Sequence, residues 1–307
     1  MGFGYVFAKE EKIVIGVNMA GHKKLAYYAT AWMPTKFYLK LRYRMVFKKK
    51  LNLKNPQTYN EKLQWMKVYD HDPRYKKMVD KYEVREYIEN KLGQEYLIPL
   101  IGVWDNFDDI DFEKLPDEFV MKCTHDSGSV FICRDKSKID VKSLRKQMKS
   151  AQKRSQYRAG REWAYKGLKP RIVVEKFMVD DSYIGLKDYK FFCFDGKVKA
   201  MFIATDRGVE GEDVKFDFFD PDYNHLSMKH GHENANVLPA CPQNFEEMKK
   251  IAEKLSEGLR QVRVDLYNIN GRTYFGEMTF YHHCGFVPFT PEEWDYIIGD
   301  WIKIDGS

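Results

Sequence analysis

The sequence predicts an α+β protein in which helices and antiparallel hairpins follow one another along the chain. Apolar runs rich in aromatic and β-branched residues flank the turns Asp195-Gly196 and Asn270-Gly271, a pattern typical of β-hairpins. Helical periodicity marks separate segments before and between these runs. The order lacks the regular β-α-β alternation of a parallel sheet, so antiparallel layers are expected.

The helices are predicted from capping residues and periodicity. Thr58 and Glu61 have capping-box spacing, so a helix should begin there. A second helix should follow Asp72-Pro73 and end at Gly93, a plausible C-cap. Three further helices are predicted, over residues 142–154, 245–259 and 294–302.

The strands are predicted from short apolar and β-branched runs. A first hairpin should join residues 119–123 to 130–134 through the turn of residues 126–129. The two turns named above predict two more hairpins. The expected strands cover residues 96–103, 119–123, 130–134, 171–177, 189–194, 197–203, 261–267 and 272–280.

Composition excludes several classes of protein. The 307 residues are 44% hydrophobic and 31% charged, and 20 Tyr, 21 Phe and 6 Trp supply enough apolar area to argue against disorder. No apolar run approaches the roughly 18–20 residues of a membrane span, and no secretory signal is evident. The five cysteines are odd in number and form no C-x-x-C pair, which disfavours a disulfide framework or a zinc ribbon. We therefore expect a cytoplasmic protein.

Positive charge is concentrated near the N-terminus. Residues 12–60 hold eleven Lys and Arg and no Asp or Glu, so the net charge of +6 leaves 6 − 11 = −5 for the rest. Tyr, Trp and Phe are interleaved with the cations. This mixture suits an anionic surface, either a membrane leaflet or an acidic glycan, with residues 23–50 as the docking segment. The alternative is a solvated arm over the core. Nucleic acid is not expected, because no recognition motif accompanies the patch.

Two carboxylates are candidate metal ligands. Asp265 and Glu277 each lie within an apolar, strand-like run, and the turn at Asn270-Gly271 should bring the two strands side by side. Two carboxylates on adjacent strands suit Mg²⁺, which takes few protein ligands and leaves positions for phosphates. The alternative is an exposed sheet face, where acidic residues are common.

Two lysines in predicted strands are candidate phosphate ligands. Lys122 precedes a loop of small and polar residues, 125–129, and Lys190 lies in Asp-Tyr-Lys-Phe-Phe. A strand lysine followed by such a loop can hold phosphate oxygens through charge and backbone N–H groups. The spacing of a Walker A motif is missing.

Taken together, these runs resemble the TupA-like family of the ATP-grasp superfamily, which is found with cell-surface polysaccharide biosynthesis. The similarity extends from about Phe37 to Ile302. It is carried by Leu-Asn-Leu-Lys-Asn-Pro-Gln-Thr-Tyr-Asn-Glu-Lys-Leu-Gln-Trp (51–65), Lys-Cys-Thr-His-Asp-Ser-Gly-Ser (122–129), Asp-Tyr-Lys-Phe-Phe-Cys-Phe (188–194) and Tyr-Phe-Gly-Glu-Met-Thr-Phe-Tyr (274–281).

The resemblance implies an ATP-grasp fold, in which two α+β units grip a nucleotide, with a small lid subdomain and a basic N-terminal extension. The corresponding segments are a basic aromatic-rich segment (1–55), an N-terminal subdomain (56–118), the lid (119–178) and a C-terminal subdomain that binds ATP and Mg²⁺ (179–307). Acceptor recognition is expected within residues 205–242.

The resemblance also implies roles for individual residues. Lys81 and Lys122 would contact phosphates, and the adjoining loop would close over them. A hinge strand would meet the adenine, Asp188 the ribose, and Lys190 the adenine or the phosphates. Arg263 would face developing negative charge. The loop residues are His125, Asp126, Ser127, Gly128 and Ser129; the hinge residues are Glu175, Lys176, Phe177 and Met178; the metal ligands are Asp265, Glu277 and Thr279.

The chain departs from the expected pattern at two places. Thr279 stands where many ATP-grasp enzymes have Asn, which puts a second metal in doubt. Residues 281–285, Tyr-His-His-Cys-Gly, stand where Pro and small residues are expected. Adjacent His and Cys suggest a metal site, but consecutive side chains of an extended strand point to opposite faces, which disfavours one. His225, His230 and His232 are expected in a solvated loop.

The implied activity is that of an ADP-forming ligase, which joins a carboxylate to an amine through an acyl phosphate. The expected cofactors are ATP and Mg²⁺, and the expected partners are a sugar-acid or glycan acceptor and an amine donor. An alternative is a glycosyltransferase or another nucleotide-sugar-dependent enzyme, although Asp220-Pro221-Asp222 is the only near match to a D-x-D pair. A third alternative is a binding module without catalysis.

Overall fold

The computed structural model describes residues 30, 32–181, 186–205 and 213–304. Helices pack on antiparallel sheets, which is the predicted α+β class. The helices are α1 (Thr35–Phe47), α2 (Tyr59–Tyr69), α3 (Arg74–Val79), α4 (Val84–Lys91), α5 (Val141–Gln152), α6 (Gln156–Gly160), α7 (Phe245–Ser256) and α8 (Glu293–Trp301).

Strands from the whole length of the described chain build the sheets. They are β1 (Leu100–Trp104), β2 (Phe119–Cys123), β3 (Val130–Cys133), β4 (Ile172–Lys176), β5 (Asp188–Phe194), β6 (Lys197–Thr205), β7 (Lys215–Phe219), β8 (His225–Leu226), β9 (Lys229–His230), β10 (Gln261–Ile269), β11 (Arg272–Thr279) and β12 (Phe289–Thr290).

Two sheets carry most of the fold. A six-stranded sheet has the order β11-β10-β5-β6-β7-β8, and a four-stranded sheet has the order β1-β4-β2-β3. Phenylalanines of β5, β6 and β7 and the apolar face of α7 form the core of the large sheet. The small sheet has a separate core, to which α5 contributes Leu144 and Met148. Strands β9 and β12 form a short ribbon of their own.

The predicted helix start and hairpins are confirmed. Thr58 Oγ1 accepts from the backbone N–H of Glu61 at 3.2 Å, and the Glu61 side chain reaches back to residue 58, which completes the capping box. Asp195 and Asn270 have φ of 51° and 52°, and the glycines after them are also positive. A two-residue turn with both φ values positive matches the twist of the flanking strands, which is why these sequences form hairpins.

The prediction of a single helix between Asp72-Pro73 and Gly93 is wrong, because this segment forms two helices, α3 and α4. Asp80 Oδ1 accepts from the backbone N–H groups of Tyr82 and Glu83 at 2.9 and 3.0 Å. This side-chain bonding ends α3 and turns the chain into α4, since an Asp can satisfy backbone donors outside a helix. Periodicity alone does not reveal such a break.

The sequence did not predict the helices α1 and α6 or the strands β7, β8, β9 and β12. Helix α1 begins after Pro34 without a side-chain cap and buries Leu39 and Tyr43 beside Leu51 and Phe286. The predicted segment boundaries remain a prediction. The small sheet extends beyond the predicted lid, because β1 of the preceding segment pairs with β4. Within the described residues, none of the helices combines the length and apolarity of a membrane span.

Candidate active site

Three neighbouring strands of the large sheet bring the predicted metal ligands and Lys190 together. In the antiparallel register Asp265 of β10 lies opposite Glu277 of β11 on one side and opposite Lys190 of β5 on the other. A register shift follows Asp265, and a Cβ at Gly276 would stand 3.0 Å from the Asp265 carbonyl oxygen. Glycine at position 276 therefore permits the close approach of the strands beside the two carboxylates.

Arg263 ties the two acidic residues into one network. Its Nε donates to Asp265 Oδ1 at 2.6 Å, and its Nη2 donates to Asp265 Oδ2 at 2.7 Å and to Glu277 Oε1 at 3.0 Å. Lys190 Nζ also donates to Asp265, and it lies 3.4 Å from Asp188 Oδ2. Asp265 is 1% exposed, so its charge is held almost entirely by these two cations.

The pKa values of these groups follow from burial and charge. Burial opposes ionisation of Glu277, but Lys190, Arg263 and Lys81 act the other way and lower its pKa to about 2. For Arg263, burial disfavours the charged form, while Asp265 and Glu277 raise its pKa. Glu277 is therefore ionised, and Arg263 charged, near pH 7.

The donor set fits a hard metal ion. Glu277 and Thr279 lie two residues apart on one face of β11, with Glu277 Oε1 3.3 Å from Thr279 Oγ1, and the Glu277 side chain is 42% exposed. With Asp265 they offer only oxygen atoms, which Mg²⁺ prefers. Both oxygens of Asp265 already accept from Arg263 or Lys190, so a metal ion there would displace one of these cations.

The small sheet holds a second charged cluster. Lys122 Nζ of β2 donates to Glu175 Oε2 of β4 at 2.7 Å, and Arg85 Nη1 of α4 donates to Glu175 Oε1 at 3.2 Å. Lys122 and Glu175 are thus brought together as neighbours on one sheet face. The Lys122 charge is directed at Glu175.

Side chains from inside and outside the loop after β2 hold it closed. Lys81 Nζ donates to the Asp126 carbonyl oxygen, and Ser129 Oγ donates to Asp126 Oδ1. Arg154 Nη2 donates to Asp126 Oδ2 at 3.0 Å. Gly128 has a φ of 92°, a conformation that glycine adopts without strain. The loop therefore gathers two cations around a buried aspartate.

The remaining predicted site residues are more dispersed. Lys176 is exposed at the end of β4, and Phe177 lies under the Arg134 guanidinium, 5.3 Å from the ring centre. Met178 is half-buried, Ser127 is exposed and Gly128 is half-buried. His125 Nε2 lies 3.1 Å from the Arg154 carbonyl oxygen. Lys81 is near enough to Glu277 for its charge to contribute, after burial, Lys190 and Arg263, to the pKa of that carboxylate.

Sequence reasoning missed three residues of these networks. Nothing in the sequence around Arg85 predicts a functional role, because the residue lies on a polar face of a helix. Arg154 follows a polar helix and only becomes significant beside Asp126. His282 contacts Arg263 Nη1 through Nδ1 at 2.5 Å, so the prediction that discounted the histidines of residues 281–285 relied on the wrong local structure.

The acidic residues considered for the glycosyltransferase alternative form a turn. Asp220 Oδ1 accepts from the backbone N–H groups of Asp222 and Asn224 at 2.9 and 2.8 Å. The carboxylate thus stabilises its own loop, as the proline at position 221 led us to expect.

A comparison with models of protein families identifies the family of the chain. The model of the TupA-like ATPgrasp family matches residues 61–303, which is most of the chain, so the protein belongs to this family. The expected ATP-grasp fold is thereby confirmed. The match begins after residues 37–60, which were included in the resemblance. No curated protein matches the chain.

Solved structures resemble the chain only distantly. D-Alanine–D-alanine ligase from Bacillus anthracis, complexed with ATP, is 18% identical with a TM-score of 0.40, covering 66% of this chain and 55% of that one. The ATP-grasp ligase PsnB, complexed with minimal precursor, Mg and ADP, is 12% identical with a TM-score of 0.38, covering 84% and 66%. The chain thus spans about half the length of the first of these structures.

Proposed function

We propose that the protein is an ATP-dependent carboxylate–amine ligase. A carboxylate oxygen of the acceptor attacks the γ-phosphorus of ATP, the bond to the β–γ bridging oxygen breaks, and ADP leaves. The amine nitrogen then attacks the carbonyl carbon of the acyl phosphate, inorganic phosphate departs, and the nitrogen loses a proton. The observation that carries this proposal is the network of Lys190, Arg263, Asp265 and Glu277 in a chain of an ATP-grasp family.

In this proposal the large sheet neutralises the transferring phosphoryl group. Asp265, Glu277 and Thr279 would hold Mg²⁺, which supplies charge neutralisation to the phosphates when bound. Arg263 and Lys190 are the catalytic cations that face the charge developing on phosphate oxygens. Lys190 and Arg263 already pair with Asp265. When a nucleotide binds, its phosphates replace Asp265 as the partner of these cations, so no new unpaired charge is buried.

The small sheet supplies the other wall of the proposed nucleotide site. Lys81 and Lys122 bind phosphate oxygens, the loop of residues 125–129 covers them, and the backbone of residues 175–178 meets the adenine. Support comes from Lys122 and Lys81, which now donate to Glu175 and to the Asp126 carbonyl oxygen and can turn to an anion. In this proposal Asp188, which lies 3.4 Å from Lys190, accepts a hydrogen bond from the ribose.

We propose a sugar acid of a surface polysaccharide as the acceptor and an amino acid or amine as the donor. This substrate class rests on the family resemblance. The expected acceptor segment of residues 205–242 is described only at residue 205 and from residue 213 onward.

The test is a hydroxylamine trap. The purified protein is incubated with ATP, Mg²⁺, hydroxylamine and one carboxylic acid from a panel of uronic acids, amino acids and simple acids. An acyl phosphate reacts with hydroxylamine to a hydroxamate, so the acceptor is found without knowledge of the amine. We expect hydroxamate and ADP in equal amounts with a uronic acid, and neither without the acid.

Matched variants separate the proposed chemistry from contamination. Glu277→Gln removes one charge at the site, whereas Glu246→Gln removes one from an exposed position on α7. We expect Glu246→Gln to keep full activity and Glu277→Gln to lose it. Equal hydroxamate formation by both variants would refute the assignment of the site.

We further propose that α1 docks the protein on an anionic membrane leaflet. One face of α1 is fixed to the protein, because Leu39 and Tyr43 are buried and Arg42 Nη1 donates to the Ala159 carbonyl oxygen at 2.8 Å. The opposite face exposes apolar side chains at successive turns, with Phe37 56% and Met45 64% exposed.

Exposed cations accompany this apolar face. Lys36, Lys40 and Arg44 each precede one of its residues, and Lys48 to Lys50 follow the helix. Lys49 pairs with Glu292, which leaves five cations at about 1 kcal/mol each near an anionic leaflet. A face that combines cations with apolar side chains is typical of an interfacial helix. Residues 1–29 and 31, which include part of the predicted docking segment, lie outside the described residues.

Vesicle co-sedimentation tests the docking. We expect the protein to pellet with phosphatidylcholine vesicles that contain phosphatidylglycerol, and to be released as the Debye length falls to about 3 Å at 1 M salt. Lys40→Glu with Arg44→Glu should abolish pelleting, whereas Lys142→Glu with Lys146→Glu, an equal charge change on α5, should not. Equal pelleting by both double variants would contradict docking through α1.

A further inference from the structure

Three histidine rings lie close together beside Arg263, although they come from two separate parts of the chain. His230 is in β9, and His282 and His283 follow β11. The ring centres lie 4.9 Å apart for His230 and His282, 5.0 Å for His230 and His283, and 4.2 Å for His282 and His283. One ring nitrogen from each lies within 4.8 Å of the other two.

Each of these rings carries a buried nitrogen without a hydrogen-bond partner. The atoms are His230 Nδ1, His282 Nε2 and His283 Nε2. A buried polar atom that bonds to nothing costs free energy, and native proteins contain few of them. Because three such atoms lie in one cluster of rings, a single bound ion can satisfy all three.

The second nitrogen of two rings is already engaged. His230 Nε2 lies 3.0 Å from the Val287 carbonyl oxygen and donates to it, which leaves the lone pair on Nδ1. This is the arrangement that orients a metal-ligating histidine, because the outer hydrogen bond fixes the tautomer. His282 Nδ1 accepts from Arg263 Nη1, so metal binding through Nε2 requires that this contact open and that the ring proton move from Nε2 to Nδ1.

The backbone explains why two adjacent histidines can point into one cluster. Residues 282–285 form a tight turn rather than an extended strand, with φ of 48° at His283 and 56° at Cys284. The expectation that the side chains of His282 and His283 point to opposite faces is therefore wrong. The expectation that His230 is solvated is also wrong, because His230 is fully buried and its ring stacks on that of Phe289, with the ring centres 3.8 Å apart. Non-glycine residues with positive φ cost free energy, and such strain is concentrated at functional sites.

We propose that His230, His282 and His283 bind one divalent transition-metal ion, with Zn²⁺ as the representative ion. Three imidazoles suit Zn²⁺, Co²⁺ or Ni²⁺ and disfavour Mg²⁺, which requires oxygen donors. Three protein ligands leave a further coordination position for water or a substrate oxygen. This site is distinct from the oxygen-donor site of Asp265 and Glu277.

The charge state of the rings is compatible with this proposal. Burial, and then the neighbouring charges and histidines, lower the pKa of His230 to about 3 and that of His283 to about 4, and the pKa of His282 is also well below its ordinary value. The rings are therefore neutral near pH 7, which is the form that binds metal.

Metal content tests the proposal without reference to ligase activity. The full chain is treated with a chelator, incubated with Zn²⁺ or Co²⁺ in excess Mg²⁺, and dialysed. We expect one Zn²⁺ per chain by mass spectrometry of the metal, and the visible absorption of four- or five-coordinate Co²⁺. His283→Gln and His230→Asn should each lower the affinity for Zn²⁺ at least tenfold, because loss of an outer-shell partner of a metal ligand alone typically costs about 10–100-fold.

Controls keep the result interpretable. His225→Gln changes an exposed histidine of β8, which lies 3.6 Å from Asp217, and should retain one Zn²⁺. Circular dichroism and the thermal midpoint of the metal-free variants show whether each is folded. A folded wild-type protein that retains no Zn²⁺, or a folded His283→Gln variant that retains as much as wild type, would overturn the proposal. Failure of the hydroxylamine trap would leave it intact.

Discussion

The large sheet and the small sheet hold their site charges in different ways. On the large sheet, Asp265 is 1% exposed and lies between Lys190 and Arg263, all three on central strands. Next to the small sheet, Asp126 lies in the loop between β2 and β3, and the side chain of its partner Arg154 is 34% exposed. Strands fix geometry more closely than loops do. In the proposed nucleotide site, the large sheet would therefore be a rigid wall for metal and phosphate, and the loop after β2 would be an adaptable cover.

The largest expected effect tests the rigid wall. Asp265→Asn removes the carboxylate that pairs with Lys190 and Arg263, so these buried cations lose their shared counter-charge. Removing one partner of a buried ion pair typically costs about 3–5 kcal/mol. We expect the free energy of unfolding in urea to fall by about that amount. A loss below about 1 kcal/mol, the value of an exposed pair, would show that the large sheet does not depend on this network.

Glu277→Gln should separate function from stability. The Glu277 side chain is 42% exposed, so its removal leaves Arg263 bound to Asp265 and should change the free energy of unfolding by less than about 1 kcal/mol. Turnover in the hydroxylamine trap should nevertheless fall about 10²-fold or more, the order of one lost electrostatic contact in a transition state. A stable variant with near wild-type turnover would remove Glu277 from the proposed chemistry.

Lys67 offers a test of a buried charge outside the site. Burial lowers its pKa to about 8, against an ordinary value of 10.5. Above pH 8 the unfolded chain binds more protons at this residue than the folded chain, so stability should rise with pH, by up to about 1.4 kcal/mol per unit. We expect this rise between pH 8 and 9.5 in wild type relative to Lys67→Met, in urea unfolding. Parallel pH profiles would contradict it.

The smallest effect is expected in the loop of the small sheet. Arg154→Met removes a half-exposed partner of Asp126, so the free energy of unfolding should change by less than about 1 kcal/mol. If the loop covers phosphates, the KM for ATP should rise about fivefold, equivalent to about 1 kcal/mol, with kcat less affected. Arg145→Met, on the exposed side of α5, is the control. Identical KM values would exclude Arg154 from the nucleotide site.

Local signals predicted the hairpins and most helices, because the determinants lie within a few residues. The turn at Asn270-Gly271 dictates that β10 pairs with β11, and the register shift beside Asp265, which the turn does not encode, sets Asp265 opposite Glu277. The break at Asp80 depends on a single side chain and was missed. The contact of Arg154 with Asp126 joins residues 28 positions apart, and no periodicity encodes it. The histidine cluster was missed because positive φ at His283 reverses the rule for strands.

The most direct measurement of the central claim is the affinity for ATP by calorimetry, with and without Mg²⁺. The claim is that Asp265, Glu277, Lys190 and Arg263 form the metal and phosphate wall of a nucleotide site. In wild type and in Glu246→Gln, Mg²⁺ should strengthen ATP binding at least tenfold. In Glu277→Gln this strengthening should disappear while the fold is retained. An equal effect of Mg²⁺ on ATP binding in all three proteins would contradict the account.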